Sequence, residues 1–194
     1  MDITVTALTP RIAAYCCSVE GIVLEAYKDN AKPPVWTWAG GISTKSGFDV
    51  LQYKDKPQPL ETCLRATVDL MRKQYYPAVH RAFAGHDLSE IQLAAALSFE
   101  WHYGAVARAD WVGLWCKGKR AESRAAFMNW TDRGNALERA RIEQAMFFDG
   151  KWPGDLRAPV YSVAKPSYRP VNAKRVDVMQ LLTKIITGKD TSEL

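Results

Sequence analysis

The sequence predicts a mainly helical α+β fold, with a small antiparallel β-lobe beside a larger helical lobe and a cleft at their seam. Three observations carry this. Apolar residues recur at helical spacing over most of the chain. From Leu24 to about Val50 that rhythm gives way to short apolar pieces separated by Asp29-Asn30, Pro33-Pro34, Gly40-Gly41 and Gly47. Helical spacing then resumes after Pro59. At 194 residues, 47% hydrophobic and 24% charged, the chain suits a single globular domain and not a disordered segment.

Each element has its own signal. Thr9-Pro10 opens a first helix, with threonine as N-cap and proline at the first helical position. Ile12, Ala13, Cys16 and Val19 give it an apolar face up to Glu20-Gly21. The turn-rich stretch that follows reads as an irregular antiparallel sheet. Leu60, Cys63, Leu64, Thr67, Met71 and Tyr75 then share one helical face, and Pro77 marks a break or kink. Asp87 and Glu90 have capping-box spacing before a helix running through Ile91, Ala94, Leu97 and Trp101 to Gly104. Further helices fit residues 120–130 and 135–148, the latter stopped by Gly150. The prolines at 153, 159, 166 and 170 suggest an extended strap, and residues 174–187 a last amphipathic helix stopped by Gly188. The reading therefore divides the chain into residues 1–152, with the β-lobe over about 21–58, and residues 153–194, a strap and helix packing on the helical lobe.

Composition bounds the function. No apolar run reaches the roughly 20 residues needed to span a bilayer, and the N-terminal stretch lacks the basic start and clean apolar run of a secretory signal. A chain made and kept in the cytoplasm until something exports it is expected. Cys16, Cys17, Cys63 and Cys116 form no CxxC pair and no zinc spacing, so reduced thiols are expected. The net charge of +5 favours acidic partners: nucleic acid, anionic lipid headgroups or the polyanionic bacterial cell wall.

The candidate site lies between Glu20 and Gly47. Glu20 ends an apolar helix, Asp29 sits in a polar turn beside Lys28 and Asn30, and Thr37 lies between Trp36 and Trp38. Two carboxylates in unlike surroundings are what a glycosidase uses, one giving a proton to the leaving oxygen and the other acting across the bond. Partial burial would favour the protonated acid at Glu20, a polar turn the carboxylate at Asp29. The Thr37 hydroxyl can donate and accept at once, and so hold a water. By spacing alone, Glu20 is equally a helix-end surface residue, Asp29 a turn residue and Thr37 a strand residue.

The ordered set Glu20-Gly21, Leu24, Ala26-Tyr27, Asp29 and Trp36-Thr37 resembles the catalytic hairpin of phage-type lysozymes, the family 24 glycoside hydrolases. Cys63, Leu64, Asp69 and Leu70 are similar to that family's long connecting helix. Gln92, Ala96-Leu97-Ser98-Phe99 and Gly104 resemble a second motif, and Arg139, Arg141, Glu143, Met146-Phe147-Phe148 and Gly150 a third. The similarity runs from about Ile12 to Trp152. Two departures stand out. AsnAlaLysProPro lengthens the stretch between Asp29 and Thr37, and Ala39-Gly40-Gly41-Ile42 lacks the histidine that often follows the threonine.

The resemblance implies a lysozyme-like fold and hydrolysis of the β-1,4 bond between N-acetylmuramic acid and N-acetylglucosamine in peptidoglycan. Glu20 would be the general acid, Asp29 the base and Thr37 the water holder, with inversion expected. Trp101 and His102, on the helix that faces the family's cleft, become substrate-binding candidates; core packing competes for the tryptophan. No metal or organic cofactor is implied, nor nucleic acid, nor stable membrane insertion, and a monomer is expected. The enzyme would reach the wall through a membrane pore or travel in a phage particle. Three rivals remain open on sequence: a lytic transglycosylase using Glu20 alone, a non-catalytic wall-binding or virion protein with this fold, and a basic nucleic-acid binder with salt-sensitive affinity for DNA. Arg139 and Arg141 with Glu143 read as helix-surface ion pairs.

Overall fold

The computed structural model describes residues 7–189. In chain order its main elements are α1 (Pro10–Glu20), β1 (Ile22–Lys28), β2 (Trp36–Ala39), β3 (Ile42–Ser43), α2 (Leu60–Leu70), α3 (Tyr76–Ala82), α4 (Glu90–Tyr103), α5 (Asp110–Cys116), α6 (Arg120–Phe127), α7 (Leu137–Asp149), β4 (Ala158–Ala164), β5 (Arg169–Val176) and α8 (Met179–Thr187). The chain falls into two compact units. One is Thr9–Met71 together with the chain from Asp155 onward; the other is built on Arg72–Gly154.

The first unit holds a five-stranded sheet in the order β3-β2-β1-β4-β5. The β1–β2 and β2–β3 pairs are antiparallel, as the turn-rich sequence predicts. The other half is a difference. The expected proline-rich strap is an antiparallel hairpin, β4–β5, whose first strand pairs in parallel with β1 at Ile22↔Val160 and Val23↔Tyr161. Its prolines sit where a missing N–H does least harm: Pro159 precedes the short parallel pairing, and Pro170 lies on the edge strand. The sheet is thus larger than residues 21–58 suggest, and mixed. β5 also takes residues 174–176, so the last helix begins at Met179. α1 packs against β4 and α8, and α8 against α2. Ile12, Cys16 and Cys17 on α1, Leu64 on α2 and Leu182 on α8 are fully buried. Thr9 caps α1 by accepting from the Ile12 N–H at 3.2 Å. All four cysteines are free thiols.

The second unit is an all-helical bundle around an aromatic core. On α4 every residue from Leu93 to Phe99 is buried, so this helix has no solvent face over that stretch. Phe99 meets Trp111 at 5.3 Å and Phe127 at 5.6 Å between ring centres, and Phe147 packs on Trp111 at 4.9 Å. Each such ring removed from water contributes about 2–3 kcal/mol. The capping box is Ser89 with Gln92, two residues beyond the Asp87–Glu90 pair the sequence suggested. Serine with glutamine satisfies both orphan amides reciprocally, which fixes the start at Glu90. The kink expected at Pro77 is a π-turn over Met71–Tyr75; proline cannot donate back along the helix, and the preceding turn widens.

Arg139 and Glu143 do not form a surface pair. Glu143 is 1% exposed and accepts from Arg139 Nε at 2.8 Å and from the Ser98 hydroxyl at 2.6 Å. Arg139 Nη2 donates to the Ser98 carbonyl at 2.8 Å, joining α7 to α4. Arg141 does lie at the surface, 3.8 Å from Glu138.

Candidate active site

Glu20 is the last residue of α1, and Gly21 is what stops the helix there. Gly21 has φ +77° and donates its N–H to Cys17 O at 2.9 Å. A side chain at this position would meet the Tyr161 ring at 2.8 Å and Pro159 O at 3.2 Å. Glycine is therefore required both by the turn and by the close passage of β4. The Glu20 carboxylate is half-buried. Its charge, with burial, pushes the Cys17 thiol up to about 12, burial being the larger cause.

Asp29 follows β1 and organises the loop that carries the insertion. Its Oδ1 accepts from Ala31 N at 3.0 Å and Val35 N at 2.8 Å, while its own N–H donates to Val35 O at 3.1 Å. This is a side chain closing its own turn, the habit that makes aspartate a turn residue. Among the described residues Oδ2 carries no hydrogen bond. The C-terminal hairpin holds the loop from the other side. Lys28 N donates to Tyr168 O at 2.8 Å. Arg169 Nη1 donates to the carbonyls of Lys28 (3.2 Å) and Asp29 and to Asn30 Oδ1 (2.9 Å).

Glu20 and Asp29 line one open depression of about 600 Å³, a size that suits a small-ligand site. Tyr27 lies on the same surface, as do Tyr161 and Arg169 from the hairpin. The Tyr27 phenol is pushed well above its ordinary value, by burial first and then by the charges of Asp29 and Glu20. It stays protonated at any ordinary pH and feels both carboxylates, so all three groups share one electrostatic neighbourhood. Two carboxyl groups and a neutral phenol on one concave surface can exchange protons with a hydroxyl-rich ligand and hydrogen-bond to it.

Residues 17–143 match the family model for phage lysozyme. The chain belongs to the phage lysozyme family. Its fold is the lysozyme-like α+β arrangement, mainly helical. A solved endolysin from Escherichia coli O157:H7 phage FAHEc1 is similar with a TM-score of 0.59 at 18% identity, covering 79% of this chain and 99% of that one. The muramidase domain of SpmX from Asticaccaulis excentricus is similar with a TM-score of 0.54, also at 18% identity, covering 76% and 98%. No curated protein matches the chain in sequence.

The family match contains Glu20 and Asp29, which the structure brings to one surface, and three further candidates that stand elsewhere. Thr37 is buried, pairs with Tyr27 across β1 and β2, and is absent from the lining of the depression. Its hydroxyl donates to Val35 O at 3.3 Å. Trp101 and His102 belong to the helical unit, on the last turn of α4. Trp101 stacks on Tyr75 at 4.9 Å, and exposed His102 abuts Tyr103 at 4.4 Å. Sequence reasoning missed the hairpin's contribution, Tyr161 and Arg169. Both lie beyond residue 143, in a stretch whose prolines hide its strand pattern. Among the described residues no helix is long and apolar enough to cross a membrane, and no group of three His, Cys, Asp or Glu is placed to hold a metal ion.

Proposed function

We propose that this phage lysozyme family member is an endolysin that hydrolyses the β-1,4 bond between N-acetylmuramic acid and N-acetylglucosamine in bacterial peptidoglycan. The observation that carries the reading is the shared surface of Glu20 and Asp29 within the family-matched region. Glu20, half-buried at the helix end, gives its proton to the leaving glycosidic oxygen. Asp29 takes a proton from the attacking water through Oδ2, since Oδ1 is engaged in its turn. A single displacement with inversion follows from these roles. Thr37 enters as a positioning residue: it holds Val35 O, and the Val35 N–H holds Asp29 Oδ1. Trp101 and His102 are proposed sugar contacts. Residues 1–152 form the catalytic domain in this reading, and the protein acts as a monomer on the wall.

The test compares wild type with Glu20→Gln on purified peptidoglycan, with mass analysis of the products. Wild type should release fragments with reducing muramic ends, and the variant should lose roughly 10²–10⁴-fold in rate, the usual worth of a positioned acid. Anhydro ends would instead identify a lytic transglycosylase, and inactivity of wild type a wall-binding or virion protein.

A further inference from the structure

The β4–β5 hairpin lies beyond the family-matched region, yet it walls the same depression as Glu20 and Asp29. Arg169 is its charged contribution. One guanidinium nitrogen, Nη1, is spent on the Lys28–Asn30 loop. Among the described residues, Nη2 and Nε donate to no protein group. The other cation of the lining, Lys28, has its ammonium over the Trp36 ring at 5.5 Å. Arg169 is thus anchored at one corner, half-buried, and left with two donors of the fork that matches a carboxylate. The neighbouring Tyr161 hydroxyl also makes no hydrogen bond among the described residues.

In stem-bearing wall the sugars themselves offer such a fork only hydroxyls and acetamido groups, because the lactyl carboxyl of muramic acid is tied up in the amide bond to the stem. The peptide stems carried by muramic acid offer carboxylates. We infer that Arg169 is a specificity-determining residue that binds a stem-peptide carboxylate, so that the enzyme selects glycan bearing charged stems. The inference rests on the hydrolase reading above. It makes the C-terminal hairpin part of the substrate site, with Tyr161 as a second hydrogen-bonding group on the same wall.

A charge-neutralisation cycle tests it. Peptidoglycan is used untreated, or with its stem carboxylates converted to amides by carbodiimide coupling to methylamine. Wild type and Arg169→Gln are compared on both by release of reducing ends. Wild type should lose about tenfold in kcat/KM on the amidated wall, as expected when a hydrogen bond to a charged group is lost. Arg169→Gln should lose about the same on the untreated wall and nothing further on the amidated one. Arg169→Lys, which keeps the charge, should restore part of the preference. Undiminished cleavage of amidated wall by wild type would overturn the inference without any variant. An equal loss by Arg169→Gln on both walls would also overturn it, leaving Arg169 as a brace for the Asp29 turn. If wild type releases no reducing ends from either wall, the hydrolase reading itself fails.

Discussion

The sheet unit and the helical unit both carry stretches that resemble phage lysozyme motifs, but they use their polar residues differently. In the sheet unit, Glu20 and Asp29 stand on a solvent-open surface, and the surrounding polar bonds run to backbone carbonyls and amides of one loop. In the helical unit, Ser98, Arg139 and Glu143 are turned inward and bond one another beneath the α4–α7 contact. The same kind of residue, a glutamate in a family-like motif, therefore has two meanings. Where the glutamate lines an open depression it is equipment for chemistry; where an arginine and a serine both donate to its Oε1 it holds helices together.

That contrast can be broken by experiment. The largest effect expected is on rate alone. Glu20→Gln should cost roughly 10²–10⁴-fold in wall hydrolysis with little change in Tm, because the amide keeps the shape of a half-buried side chain. A large fall in Tm would put Glu20 in the structural class instead. Glu143→Ala should do the reverse. It leaves Arg139, whose side chain is only 14% exposed, without its carboxylate, and should cost about 3–5 kcal/mol in urea unfolding. Activity per folded molecule should be kept.

Gly21→Ala sharpens the boundary between the two classes. It places a methyl 2.8 Å from Tyr161 at a φ of +77°, which should cost roughly 1–3 kcal/mol of stability. Because it shifts Glu20 against the hairpin, it should lower activity as well. Loss of stability with full activity would show that the Glu20 carboxylate does not depend on this contact.

The smallest effect concerns the hairpin's outer clasp. Asp155 accepts from the Arg157 backbone and side chain and from Arg175, and its carboxyl is held down to about 2. A depressed folded value means the contribution is complete above the ordinary aspartate range near 4 and is lost as pH falls toward 2. Because the group is exposed, the change in stability should be small. A carbon-detected titration should place the Asp155 midpoint near 2, and in Arg175→Ala it should rise.

How much of this was legible in sequence differs by element. α1 is written out in full: Thr9 and Pro10 start it, and Gly21 ends it beside Glu20. The Asp29 turn was legible as a turn, since aspartate commonly closes one. That Oδ1 is spent on Ala31 and Val35 was not, because the loop's path depends on how the insertion folds back. Glu143 shows the opposite limit. An Arg–Glu pair four apart on a helix has the same spacing whether its face meets water or another helix, so only packing could make it a buried pair. Thr37 belongs to the same class: strand position was readable, but not that its hydroxyl would bond Val35 O.

By itself the sequence determined the family, the start of α1, the glycines that stop α1, α4, α7 and α8, and the two carboxylates of the candidate site, because each rests on residue type and local spacing. Tertiary structure alone decided that β4 runs beside β1, that Arg169 reaches the Asp29 loop from some 140 residues away, and which glutamate is buried. The physical reason is the range of the interactions. Caps, turns and periodicity act within a few residues, whereas a parallel strand pairing and a long-range arginine contact exist only once the chain has folded back on itself.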